Sequence, residues 1–206
     1  SDAEGRLTQI RMSDVADNGF YDVALNVNVF TRQYLIGLIL DSIARNFRSF
    51  RNELIPSRLK SDVIRTYRYD GYFATIGSMR DYFVCSMDLL NADVRHALFN
   101  VEQRPVFTKV RNSTPTYYAP GSKACVSLIA DGCHIEGTVE NSILFRGVRI
   151  NKGAVVKNSI LMQDTICGDG SFLNCLITDK NVVIRDGRML SGHETRPFFI
   201  EKNAMI

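Results

Sequence analysis

The sequence predicts a parallel β-helix of hexapeptide-repeat type, preceded by part of an α/β domain. Three observations carry this. The tripeptide Asn-Ser-Ile stands at residues 141–143 and again at 158–160, seventeen residues on. Ile135, Ile150, Ile166 and Ile184 recur at intervals of fifteen, sixteen and eighteen. Before about residue 104 neither repeat is present, and strand-like alternation and helical spacing take their place.

In chain order, residues 21–30 (YDVALNVNVF) alternate Val23, Leu25, Val27 and Val29 with a more polar face, the pattern of a half-buried strand. Residues 31–47 predict a helix capped by Thr31, with Leu35, Leu38, Ile39 and Ile43 at turn spacing. The aromatic stretch 64–77 is β-prone. Ser78, with Asp81 three residues on, predicts a capping box that opens a helix whose Met79, Tyr82, Phe83 and Leu90 face inward. These few elements read as the last portion of a larger sheet domain, assigned to residues 1–103. Residues 102–122 hold Pro105, Pro115, Pro120 and Gly121-Ser122, a linker composition in which Val106, Phe107 and Val110 can start a strand.

From residue 104 to 206 the reading is a β-helix domain with a C-terminal cap. Val126-Ser127-Leu128-Ile129, Asn141-Ser142-Ile143-Leu144, Asn158-Ser159-Ile160-Leu161 and Asn174-Cys175-Leu176-Ile177 fall in matching phase. Gly137, Gly153, Gly170 and Gly187 trail the isoleucine series. Imperfect hexads, three short strands to a coil, produce this period. Aliphatic residues then stack inward, small Ser or Cys fits a tight corner, and Gly or Asn accepts backbone angles other residues avoid. Asn141, Asn158 and Asn174 are placed to form a ladder through successive coils. The competing architecture is a β-sandwich of evenly spaced hairpins. The last coil needs cover for its unpaired backbone, and Phe198, Phe199 and Ile200 are the residues available for that or for a partner.

Composition narrows the function classes. Five cysteines, an odd number without a Cys-x-x-Cys pair, fit a reducing cytoplasm rather than a disulfide scaffold. No apolar run approaches the length of a membrane span, and the first residues lack the pattern of a secretory signal. A net charge of +3 does not demand a nucleic-acid partner.

The repeats, joined to YRYDGYFATIGSMRDYFVCSMDLL (67–90), RPVFTKV, SLIADGCHIEG and ENSILFRGVRI, resemble the glucose-1-phosphate adenylyltransferase (ADP-glucose pyrophosphorylase) family. The resemblance runs from about residue 5 to 190. It implies a nucleotidyltransferase domain followed by a left-handed β-helix, of which this chain holds the end of the first and nearly all of the second. It also implies a reaction in which ATP and glucose 1-phosphate yield ADP-glucose and pyrophosphate for glycogen synthesis. That in-line transfer needs Mg²⁺ and basic groups to offset phosphate charge. The family's nucleotide loop, first metal-binding Asp and sugar-phosphate Lys have no counterpart here. Thr75 stands where catalytic members place a second metal-binding Asp, and Ala24 where they place a sugar-contacting Ser. A hydroxyl is a poorer Mg²⁺ ligand than a carboxylate. The two departures resemble the accessory, non-catalytic type of bacterial subunit, whose partner is a catalytic subunit in a homo- or hetero-oligomer. A competent subunit, its site repaired by a displaced carboxylate such as Asp70, is the alternative.

Other residues offer chemistry of their own. His134 lies in a coil, and hexapeptide-repeat acyltransferases use a coil histidine as general base; with no acceptor-binding insert beside it, the competing reading is a solvent-facing coil residue. His96 and His193 form no metal cluster with the cysteines. Cys125, Cys133, Cys167 and Cys175 recur at coil intervals, as small core or corner residues do. Asp70 reads as a turn residue, Asp81 as a cap and Asp88 as a solvent-facing or locally packed group. Arg45, Arg48 and Arg51 head a basic run that is either a solvated face or an anion or effector contact. Arg146 and Arg149 are placed to meet the preceding domain or another subunit.

Overall fold

The computed structural model describes residues 1–2, 4–11, 22–109 and 111–206. They form two compact units, Ser1–Asp70 and Gly71–Ile206. The units part at 70, so the stretch 71–103 goes with the repeats, although the change of period stands near 104. Tyr21 and Val110, both given to strands above, lie outside the described residues. Among the described residues no helix is long and apolar enough to cross a membrane.

In the first unit Thr31 caps α1 (Arg32–Ala44), its hydroxyl accepting from the Tyr34 N–H at 3.4 Å. The helix stops short of the predicted residue 47 because the chain turns at Asn46, φ +57°, a conformation Asn tolerates. Of its apolar stripe only Leu38 is buried; Ile39 and Ile43 stay exposed. A π-helical turn, Phe50–Leu54, and the short α2 (Ile55–Arg58) bury Leu54 and Ile55. The predicted strand at 21–30 is not present over 22–30, where Val23, Val27 and Val29 are exposed. Alternation alone does not make a strand, because the backbone N–H and C=O groups need a partner strand. Asn26, at φ +58°, also breaks the extension. The β-prone stretch 64–77 likewise contributes no strand, only an isolated antiparallel bridge between Arg65 and Arg6.

The second unit opens with α3 (Met79–Asp88) and α4 (Ala92–Phe99). The Ser78 hydroxyl accepts from the Asp81 N–H at 3.1 Å, as expected. The Asp81 carboxylate reaches back to the Gly77 N–H at 3.2 Å, one residue before the cap. Phe83 is buried as predicted, Tyr82 and Leu90 are half-buried, and Met79 is exposed.

The rest is a parallel β-solenoid of three five-stranded sheets. Sheet A stacks β1 (Tyr117–Tyr118), β4 (His134–Ile135), β7 (Arg149–Ile150), β10 (Ile166–Cys167) and β13 (Val183–Ile184). Sheet B stacks β2 (Lys123–Cys125), β5 (Thr138–Glu140), β8 (Val155–Lys157), β11 (Phe172–Asn174) and β14 (Met189–Ser191). Sheet C stacks β3 (Leu128–Ile129), β6 (Ile143–Leu144), β9 (Ile160–Leu161), β12 (Leu176–Thr178) and β15 (Phe198–Ile200). Every strand pair is parallel, which excludes the hairpin sandwich. The first strand starts at Tyr117, not near 104, and Val106 and Phe107 are exposed without forming one.

One register assignment needs correction. Ile135, Ile150 and Ile184 do share an inward column in sheet A, but its fourth member is Cys167, not Ile166. Ile166 pairs with Arg149 and Val183 on the outer side. Successive residues of a strand point to opposite faces, so a one-residue slip turns a side chain from core to surface. The intervals along the true column are fifteen, seventeen and seventeen. A second slip occurs at Asn174-Cys175: Ile177, not Leu176, pairs with Ile160, and Cys175 takes the corner that Asn141 and Asn158 occupy in the preceding coils.

The corners hold the coils in phase. Val126, Asn141, Asn158 and Cys175 all adopt φ between +45° and +54°. Beside them runs a serine ladder. Ser127, Ser142 and Ser159 accept, in turn, from the N–H groups of Ser142, Ser159 and Leu176 at 3.1 Å each. Each hydroxyl donates to a carbonyl two residues back, at 2.6–2.7 Å. The asparagine ladder is present too: Asn141 donates to Asn158 at 2.7 Å and Asn158 to Asn174 at 2.9 Å. At the C-terminal end β15 extends sheet C and buries Ile200, while Phe198 and Phe199 remain largely exposed.

Ile150 is fully buried in the middle of its column. Ile150→Ala is expected to cost roughly 2–5 kcal/mol in equilibrium chemical unfolding. Ile166→Ala, on the outer face, should cost clearly less. Equal losses would contradict the register.

Candidate functional site

The residues assigned by resemblance to a substrate site lie in irregular, exposed backbone. Ala24 belongs to the first unit and Thr75 to the second, just ahead of the Ser78 cap. Asp70, the carboxylate offered as a substitute metal ligand, is paired with Arg68 at 2.8 Å. Among the described residues no group of three or more His, Cys, Asp or Glu gathers where a metal ion could be held. Thr75 brings a neutral hydroxyl, so the donors present here do not fit Mg²⁺.

Nor do the three arginines proposed as anion contacts converge. The Arg45 guanidinium is taken by Asp41 at 2.9 Å, and Asp41 also holds Arg58 at 2.7 Å. Arg48 turns its backbone N–H, not its side chain, toward the Glu53 carboxylate at 2.7 Å. Arg51 is exposed in the π-helical turn.

His134 points outward from sheet A. Its ring packs against Tyr117, centroids 4.8 Å apart, and its Nε2 meets Glu136 at 2.9 Å. His96 is exposed on α4, and His193 bonds Thr195 in a C-terminal turn. Cys167 is fully buried, and burial pushes its thiol up to about 12. Burial raises Cys133 and Cys175 as well. A thiol held in its protonated form is neither nucleophile nor metal ligand, which leaves these cysteines as core and corner residues. Cys125, by contrast, is exposed on the first coil. Arg149 is exposed, and Arg146 pairs with Asp131 at 3.0 Å across one coil.

What the solenoid presents most clearly is a contact surface. In sheet C the outward members Ile143, Ile160 and Ile177 stand in register. Ile160 and Ile177 are completely buried without joining the interior stack, because Phe83 of α3 covers them, with Tyr82, Met87 and Phe145 around it. A sheet whose outer face would otherwise be wet has become an apolar docking strip for a helix. Sequence periodicity marks these isoleucines as inward or outward alike, and only the partner helix explains why outward positions are aliphatic.

α3 is held further by Tyr72, which donates to Asp88 at 2.9 Å. Asp88 is therefore a bonded group on the packed side, not a solvent-facing one.

Comparison with known proteins agrees with this geometry. Residues 117–196 match the family described as GlmU-like, C-terminal hexapeptide. Glycogen biosynthesis protein GlgD of Bacillus subtilis (strain 168) is 34% identical over 179 residues, 87% of this chain and 52% of the relative. The protein of the same name from Geobacillus stearothermophilus is 41% identical over 201 residues, 86% of this chain and 58% of the relative. The chain is homologous to GlgD. Glucose-1-phosphate adenylyltransferase of Acetivibrio thermocellus is 30% identical over 200 residues, 94% of this chain and 46% of that protein. The chain spans about half the length of these curated relatives. Similarity to GlgD extends well beyond the hexapeptide region into the helices and the first unit, since the match to the Bacillus protein covers 179 residues.

Burial first, and then the bond to Asp88, push the Tyr72 phenol from 10.0 to about 12. The folded state thus favours the neutral phenol, and the stability Tyr72 lends is complete below pH 10 and lost as pH climbs toward 12. In a tyrosinate absorbance titration, Tyr72→Phe is expected to remove one phenol from the late-titrating fraction. Asp88→Asn should move that phenol to lower pH. An unchanged late fraction in Tyr72→Phe would refute the assignment.

Proposed function

We propose that this chain is the C-terminal part of an accessory, non-catalytic subunit that serves ADP-glucose formation in glycogen synthesis. In this reading residues 1–103 are the end of a nucleotidyltransferase-like domain and the solenoid is left-handed. The partner is a catalytic glucose-1-phosphate adenylyltransferase subunit in the cytoplasm, which supplies the Mg²⁺ site and binds ATP and glucose 1-phosphate. Homology to GlgD supports the pathway, and Thr75 is the observation that carries the accessory role. Mg²⁺ in phosphoryl transfer must be held by carboxylates that neutralise charge as it develops. A hydroxyl at that position cannot do this, and Ala24 removes a polar contact that would help orient the sugar.

Loss of catalytic groups leaves the solenoid untouched. The inward columns, serine ladder and α3 docking strip do not involve Ala24 or Thr75, so assembly can persist where chemistry has lapsed. Arg48 and Arg51, exposed and basic, remain the effector contacts of this reading; Arg45, already paired with Asp41, is the weakest of the three. The alternative of a repaired, competent enzyme requires Asp70 to exchange Arg68 for a metal.

Pyrophosphate release from ATP and glucose 1-phosphate measures the reaction directly. The purified chain alone is expected to stay at background. Mixed with a catalytic subunit, it should co-elute in size-exclusion chromatography and change that subunit's turnover or its response to effectors. Turnover by the chain alone that survives further purification would overturn the accessory reading in favour of the competent enzyme. Thr75→Asp with Ala24→Ser, introduced in a subunit completed by the upstream half of a GlgD relative, should raise activity above that of the unmodified version.

A further inference from the structure

A concave pocket of about 290 Å³ lies on the corner that joins sheet C to sheet A, entirely within the second unit. Its polar lining is Arg111, Ser113, Asp131, Arg146, Gln163 and Asp164. Three successive coils and the segment ahead of β1 build it. Two of these groups satisfy one another: the Asp131 carboxyl is held below its ordinary range by Ser113 and then by Arg146, whose Nε donates to it at 3.0 Å. That bond uses only the Nε edge of Arg146, so its terminal nitrogens stay available.

The remaining groups are unspent. Among the described residues the side chains of Arg111 and Asp164 have no hydrogen-bond or ion-pair partner, although the Asp164 backbone N–H donates to the Arg146 carbonyl at 3.0 Å. The Gln163 side-chain carbonyl oxygen is buried and receives no donor. Buried polar atoms are paired in the great majority of cases, and an orphaned acceptor marks a missing donor. The backbone leaves room at this corner: a Cβ on Gly147, φ +72°, would lie 2.2 Å from Asp164 Oδ1. Glycine there lets the carboxylate fold over the pocket floor.

We propose that this pocket binds a small zwitterion of the amino-acid class, carrying both a carboxylate and an ammonium group. Guanidinium groups of Arg111 and Arg146 match a carboxylate in the planar, two-pronged manner arginine favours. The Asp164 carboxylate and the Gln163 carbonyl are both acceptors, and an ammonium with three donors serves the two together. Charge decides between ligand types. Two arginines and two aspartates sum to zero, so the lining complements a ligand with both signs. A simple anion would sit against Asp164 and would bring no donor to Gln163. The volume exceeds what glycine fills, which leaves space for a side chain.

Titration of the ¹⁵N-labelled chain tests this, with the amide signals of Gly132 and Gly147 as reporters at the pocket wall. Glycine, L-serine and L-glutamine are the probes; acetate, methylammonium and inorganic phosphate are the comparisons. Saturable shifts are expected with at least one amino acid. Acetate, which lacks the ammonium, and methylammonium, which lacks the carboxylate, should each bind about tenfold or more weakly. Arg111→Ala and Asp164→Asn, both at exposed positions, should weaken the best amino acid by about tenfold each with the thermal midpoint unchanged. Phosphate or acetate binding as tightly as the best amino acid would replace the proposal with a plain anion site. Absence of saturable shifts with all three amino acids at millimolar concentration would overturn it outright, as would unaltered binding in both variants.

Discussion

The phase of the coils is the constraint on which the rest of this structure depends. In a parallel solenoid each backbone hydrogen bond joins a residue to its counterpart one coil away, so any drift in phase is passed to every later coil. The corners prevent drift. At Val126, Asn141, Asn158 and Cys175 the chain enters the left-handed region, a conformation costly for most side chains and repeated here at the corner from sheet B to sheet C in four successive coils. The serine hydroxyls beside it supply one acceptor to the next coil and one donor to their own. A turn that is strained in isolation is thereby tied to the next coil and to its own.

That phase fixes what each face can do. Sheet A gives its inward column to Ile135, Ile150, Cys167 and Ile184 and its outward one to Tyr117, His134, Arg149 and Ile166. Sheet C turns Ile160 and Ile177 outward, where α3 covers them. The corner between these sheets stacks Asp131, Arg146 and Gln163 around one pocket, and residues widely separated along the chain become neighbours at coil spacing. Interface, interior and pocket are three consequences of one register.

The same economy separates the packed residues from the exposed ones. The solenoid is held by aliphatic columns and corner ladders, while Ala24 and Thr75 lie in exposed, irregular segments. Homology to GlgD is carried through both compact units.

Much of this was determined by the sequence itself. A repeat of Asn-Ser-Ile with trailing glycines specifies a coil, because no hairpin or helix needs small, polar and left-handed residues at that interval. Thr31 and Ser78 announced their helices because capping is local chemistry. The tertiary structure decided what depends on partners. Ile166 and Cys167 are both apolar, and only the pairing with Arg149 and Ile150 determines which one faces inward. The alternating residues 22–30 form no strand because alternation describes a face, whereas a strand exists only through hydrogen bonds to a neighbour. The outward isoleucines of sheet C under α3, the bond between Tyr72 and Asp88, and the pocket that Arg111 and Asp164 both line bring together residues distant in the chain, and local pattern carries no information about such distances.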